Sequence, residues 1–165
     1  MNPGGADVRD LTERMVEVVR SEDVDQLARL LAQVVDPQGT RSELFTPVLT
    51  QLVGSIAGAL RRRADGDSTR ESPRDAVGVD GAPIFTAELV DTVDDDVAID
   101  ELDPALRAVL RAVLADLNGD AESTRIQLHL VSSDREPLAR LDALWHALLW
   151  ASMLGEDSGR SAGRE

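Results

Sequence analysis

Apolar residues recur along the first third of the chain at the three- and four-residue spacing of amphipathic helices. Over residues 7–20, Val8, Leu11, Met15, Val18 and Val19 fall on one stripe and charges fill the other side. Asp7 is the expected N-cap. Asp23 followed by Gln26 three residues on forms a capping-box pattern that opens a second helix over 24–35, with Leu27, Leu30, Leu31 and Val34 inward. Asp36-Pro37-Gln38-Gly39 ends it. A third helix is predicted over 47–63, with Thr46 as N-cap and Pro47 at the first helical position, where a missing N–H costs nothing. Its apolar positions are Val48, Leu49, Leu52, Val53, Ile56, Ala57 and Leu60. Gly54 and Gly58, four apart, share one face. Each glycine costs about 1 kcal/mol relative to alanine inside a helix. Close approach of another helix of the same chain is the expected compensation, and a homodimer contact is the alternative.

Periodicity then stops. Residues 64–82 are rich in Gly, Asp, Ser, Pro and Arg and read as a flexible, disordered linker. Residues 84–92 are expected to form a short helix, because Phe85, Leu89 and Val93 recur every four residues. Asp94, Asp95 and Asp96 end it, and 97–102 run extended. Asp103-Pro104 is the clearest helix start in the chain. Leu106, Val109, Leu110, Val113, Leu114 and Leu117 follow it, and Asn118-Gly119 stops the run. Residues 121–132 are read as helix in preference to a strand over 125–131, since no second strand is available to pair with it. A last helix, 137–154, repeats Leu138, Leu141, Leu144, Trp145, Leu148 and Leu149, which places Trp145 inward and Trp150 partly exposed. The tail 156–165 is polar and expected to be disordered.

The fold class expected is therefore all-α, a compact bundle of five or six helices with a disordered mid-chain linker. Its parts are an N-terminal half, 1–63, the linker 64–82, an acidic segment with the C-terminal half, 83–155, and the tail. The two halves share one core.

Charge changes this picture in one place. The net charge of −14 is local rather than spread: residues 83–103 hold eight acidic side chains and no basic one, while residues 1–63 carry nine acids against eight arginines. A local field calls for a basic partner, a cation or simple solvation. Arg61, Arg62 and Arg63 form the one tight basic cluster, and their docking against Asp94–Asp96 would balance one triplet with the other.

Composition mainly excludes. There is no cysteine, so disulfides and thiolate chemistry are absent. Lysine is missing as well, which removes Schiff-base and P-loop chemistry and, with the scarcity of asparagine, fits a high-GC bacterial genome. The N-terminus lacks the basic and apolar regions of a signal peptide. Leu44–Leu60 is free of charge but short for a span of about 20 apolar residues, and reads as a buried central helix. A cytoplasmic location follows as the expectation, with no membrane association. Nucleic-acid binding is disfavoured by the negative charge.

Motifs for catalysis are lacking, and no catalytic residue, metal site or cofactor is assigned. Asp91, Asp94, Asp95, Asp96, Asp100, Glu101 and Asp103 offer oxygen ligands but match no EF-hand frame. Asp142 and His146, four apart, share a helix face, a spacing equally suited to a surface hydrogen bond. The reading is a non-enzymatic helical adaptor or regulatory module that binds another protein through 84–101. Phe85, Leu89 and Val93 would anchor it, and Asp94, Asp95 and Asp96 would orient it. The alternatives are a metal-assisted hydrolase using the 91–103 carboxylates with His129 or His146, and an acidic mimic that blocks a nucleic-acid-binding protein.

Overall fold

The computed structural model describes residues 3–67, 85 and 102–160. Six α-helices make up the described chain, with no strand among the described residues: α1 (Pro3–Arg20), α2 (Val24–Val35), α3 (Phe45–Asp67), α4 (Pro104–Leu117), α5 (Ala121–Ser132) and α6 (Pro137–Arg160). The fold is an all-α bundle. The segment 121–132 is helical, as the lack of a pairing partner required.

Local signals set most boundaries. The Asp23 carboxylate accepts from the Gln26 N–H at 3.0 Å and opens α2. The Asp103 carboxylate accepts from the Ala105 N–H at 2.9 Å and opens α4, with Pro104 next. Asp120 caps α5 through the Ser123 N–H at 2.9 Å. Between α1 and α2 the chain reverses at Glu22, whose φ of 56° is left-handed and costs a non-glycine residue about 1 kcal/mol.

Four helix ends differ from expectation. α1 begins at Pro3, so Asp7 lies inside the helix. A 3₁₀ turn, Ser42–Leu44, leads into α3 at Phe45. Pro47 thus sits within the first turn, where its missing N–H still has no intrahelical partner to lose. α3 runs to Asp67 and α6 to Arg160, past the predicted stops at 63 and 154. Extending a formed helix costs far less than starting one.

The core is built around α3, which packs against α1, α4, α5 and α6. Phe45, Leu49, Leu52, Ile56, Met15, Val109, Leu144 and Leu148 are fully buried, so residues before 64 and after 103 enter one continuous cluster. Ser42–Gly66 is long and apolar enough to cross a membrane by length and composition, and 44% of its apolar window is buried among the other helices.

The faces in closest contact are not the glycine faces. A Cβ built on Gly54 meets nothing within 4 Å, and one on Gly58 meets only the Arg62 guanidinium at 3.4 Å. The close helix expected against these glycines is therefore absent among the described residues. They lie opposite the Val48/Leu49/Leu52/Ile56 face, on the solvent side of α3. Alanines make the close approaches instead: Ala57, Ala112, Ala143 and Ala147 are fully buried. On α6 this shifts the inward stripe to Arg140, Ala143, Leu144, Ala147 and Leu148. Trp145 falls beside that stripe and is 39% exposed, while Trp150 packs against the core, the reverse of the expected order.

Arg140 is the one charged residue buried among the described residues. It is 6% exposed. Its guanidinium lies 4.0 Å over the Phe45 ring and donates to the Ser132 carbonyl at 3.1 Å and the Val34 carbonyl at 3.4 Å. Both carbonyls lie in last turns, of α5 and α2, where backbone acceptors lack intrahelical donors. Arg140 thus ties the ends of two helices to α6. Burial pushes its pKa down from the usual arginine range, and Asp134 and Asp36 push it back up.

Candidate functional site

Phe85, the one described residue of the acidic segment before its end, is fixed by its backbone. Its N–H donates to Asn118 Oδ1 at 2.9 Å, and its carbonyl accepts from Asn118 Nδ2 at 3.1 Å. A single side-chain amide therefore pairs with both polar groups of one residue, as a neighbouring strand would. The ring of Phe85 packs, half-buried, against the domain's own core. Leu89, Val93, Asp94, Asp95 and Asp96 lie outside the described residues, as do the predicted short helix 84–92 (apart from Phe85) and most of the linker.

Asn118 ends α4 and Asp103 begins it. Phe85 and Asp103 are therefore held at opposite ends of one helix, about 21 Å apart at 1.5 Å per residue over its 14 residues. Asp103, the last acid of the run, is also part of the rim of a mixed polar and apolar cleft.

That cleft, of about 650 Å³, lies between α4, α5 and α6. Its apolar lining is Pro104, Ala105 and Ala108 from α4, Leu130 and Val131 from α5, and Ala139 from α6. The polar lining is Asp103, Arg107, Arg111, Gln127, Asp134 and Asp142. Its origin is in the packing. α5 and α6 both lie on α4 but touch each other little, although only four residues join them, so they splay and leave α4 as the floor. Alanines on that floor keep it deep. Leu130 stands in the wall 58% exposed, and Ile126, one turn earlier on α5, is 45% exposed. Arg107 and Arg111 are both engaged in interactions of their own. The Asp134 carboxylate accepts from the Glu136 N–H at 2.9 Å. Neither Asp134 nor Asp142 forms an ion pair among the described residues.

Other candidates separate. Arg61 pairs with Asp116, 3.3 Å from its carboxylate, and also donates to the Asp116 backbone carbonyl at the end of α4. Of the Arg61–Arg63 and Asp94–Asp96 pairing, the acidic side lies outside the described residues. His146 Nδ1 donates to the Asp142 backbone carbonyl at 2.7 Å, not to its carboxylate, and its ring meets Trp150 edge-on. His129 stands near the Ser133 hydroxyl and lines a separate groove between α3 and α5. No group of three or more His, Asp or Glu among the described residues could hold a metal ion. A further concavity of about 250 Å³, lined by Ile56, Leu60, Leu110, Val113, Trp150, Met153 and Leu154, carries no charged side chain.

Sequence reasoning missed the cleft. Nothing within the helix read over 121–132 marks Ile126 and Leu130 as exposed, and the floor alanines carry no signal of their own. The one legible clue was Asp103-Pro104, read only as a helix start. Comparison with known proteins adds nothing to the geometry: no family model, curated protein or solved structure matches the chain.

Proposed function

We propose that the protein is a non-enzymatic helical module that binds another protein, and that the α4/α5/α6 cleft is where the partner seats. The observation that carries this reading is the junction at Asp103. The eight-acid stretch 83–103 ends in the rim of a cleft whose wall exposes Leu130. An apolar recess rimmed by Asp103, Asp134 and Asp142 offers both parts of a recognition surface: burial for affinity, and charge for encounter rate and orientation. Phe85 serves in this reading as a tether to the domain rather than an anchor on the partner. The hydrolase reading finds no support in the described histidines, which are hydrogen-bonded within their own helices.

Site-specific photo-crosslinking in the native host tests it. A photoreactive residue at Leu130 should give one discrete protein adduct, while the same residue at Arg29, exposed on α2, gives none. Equal labelling from both positions, or none from Leu130, refutes the proposal.

A further inference from the structure

Resting on that reading of the cleft, we infer that its occupant is a basic amphipathic helix: an apolar stripe flanked by Lys or Arg. Three features lead there. First, the backbone of the occupant must satisfy its own hydrogen bonds. The described walls are α-helices whose internal N–H and C=O groups are already paired, and no strand edge is present among the described residues to receive an extended peptide. An extended chain laid on Ala105, Ala108 and Leu130 would bury unpaired backbone groups, whereas a helix carries its hydrogen bonds with it.

Second, the floor and wall suit side chains entering from a helix. Ala105 and Ala108 leave depth, and Leu130 stands in the wall 58% exposed. One or two leucine-sized side chains at i and i+3 or i+4 would fill the recess and cover Leu130.

Third, the charge selects the flanks. Asp103, Asp134 and Asp142 stand around the cleft, Asp134 and Asp142 without ion pairs among the described residues, and the acidic stretch joins at Asp103. The two arginines of the lining are already engaged. Lysines or arginines along the edges of an incoming helix would meet these carboxylates. A second copy of this chain is the disfavoured occupant, since it would bring another −14 to the contact.

The test is selection of displayed random 16-residue peptides on the immobilised full chain, followed by binding to wild type and to Leu130→Arg. Leu130 is mostly exposed, so the variant should keep the wild-type denaturation midpoint; Leu130→Ala serves if it does not. The expected winners have apolar residues at i, i+3, i+4 and i+7, an excess of Lys and Arg, and at least 10-fold weaker binding to the variant. Asp134→Asn with Asp142→Asn, which retains the Asp134 acceptor, should weaken them several-fold and flatten their salt dependence. Winners that need Leu130 but are neutral, acidic or proline-rich overturn this inference and leave the cleft reading standing. Winners indifferent to Leu130, or no winners, overturn both. Dimerisation of wild type that Leu130→Arg abolishes makes a second copy the occupant and also overturns the inference.

Discussion

Replacing Arg140 with methionine tests how the bundle is tied together. The guanidinium makes three contacts: the Phe45 ring at 4.0 Å and the carbonyls of Ser132 and Val34 at 3.1 and 3.4 Å. A cation held over an aromatic face away from water contributes about 2 kcal/mol. Hydrogen bonds from a charged donor contribute about 1.5–3 kcal/mol each, and the longer of these two belongs at the bottom of that range. Desolvation of the guanidinium opposes them by several kcal/mol, and its Nε has no partner. Methionine fills the volume and removes the desolvation cost, but leaves the Ser132 and Val34 carbonyls without a donor. The net expected is about 2–4 kcal/mol of destabilisation, read from urea unfolding of the full chain. A double-mutant cycle with Phe45→Leu isolates the ring–cation contact, with an expected coupling of about 1–2 kcal/mol. A methionine variant as stable as wild type, with coupling near zero, would show that Arg140 is a tolerated charge and ties nothing.

Trp150→Ala should destabilise more than Trp145→Ala, by about 3 kcal/mol against about 1, because Trp150 packs on the core and Trp145 is 39% exposed; equal midpoints in urea would put the α6 face elsewhere. Gly54→Ala should stabilise by about 0.5–1 kcal/mol, since its Cβ meets nothing and alanine is the better helix former; a loss of stability in the same titration would reveal a neighbour on that face. The hydrogen bonds from Ser123 hold the Asp120 carboxyl below its ordinary value. Its contribution is therefore complete above pH about 4, the ordinary carboxylate value, and is lost as pH falls through the lower folded value. Asp120→Asn should remove that part of the acid-side slope of stability against pH, and an unchanged slope would show that the cap does not titrate with folding.

The helices were legible in the sequence because their signals are local. Asp23 with Gln26, Asp103 with Pro104, and the leucine and valine stripes each act within one or two turns. What was not legible depends on which helices meet. The large residues of 137–154 form a stripe wide enough to be turned either way, and the small residues decide: Ala143 and Ala147 let α6 approach the core, which turns Trp145 outward. Glycine suggested close approach on α3, yet Gly54 faces open space. Arg140 stands in the string Leu-Ala-Arg-Leu that also occurs at 27–30, where Arg29 is exposed, so nothing in the string marks it as buried. The cleft arises from the splay of α5 and α6 over α4, a property of three packed helices rather than of any one segment.

Central to the account is the claim that a partner seats between α4, α5 and α6. The most direct measurement is backbone amide shift mapping of the labelled full chain, titrated with a peptide selected only for binding to it. The account predicts changes gathered on Ala105–Arg111, Ile126–Val131 and Leu138–Asp142, and silence along Thr46–Gly58. Changes gathered on Thr46–Gly58 or on α1, with the cleft silent, would contradict it.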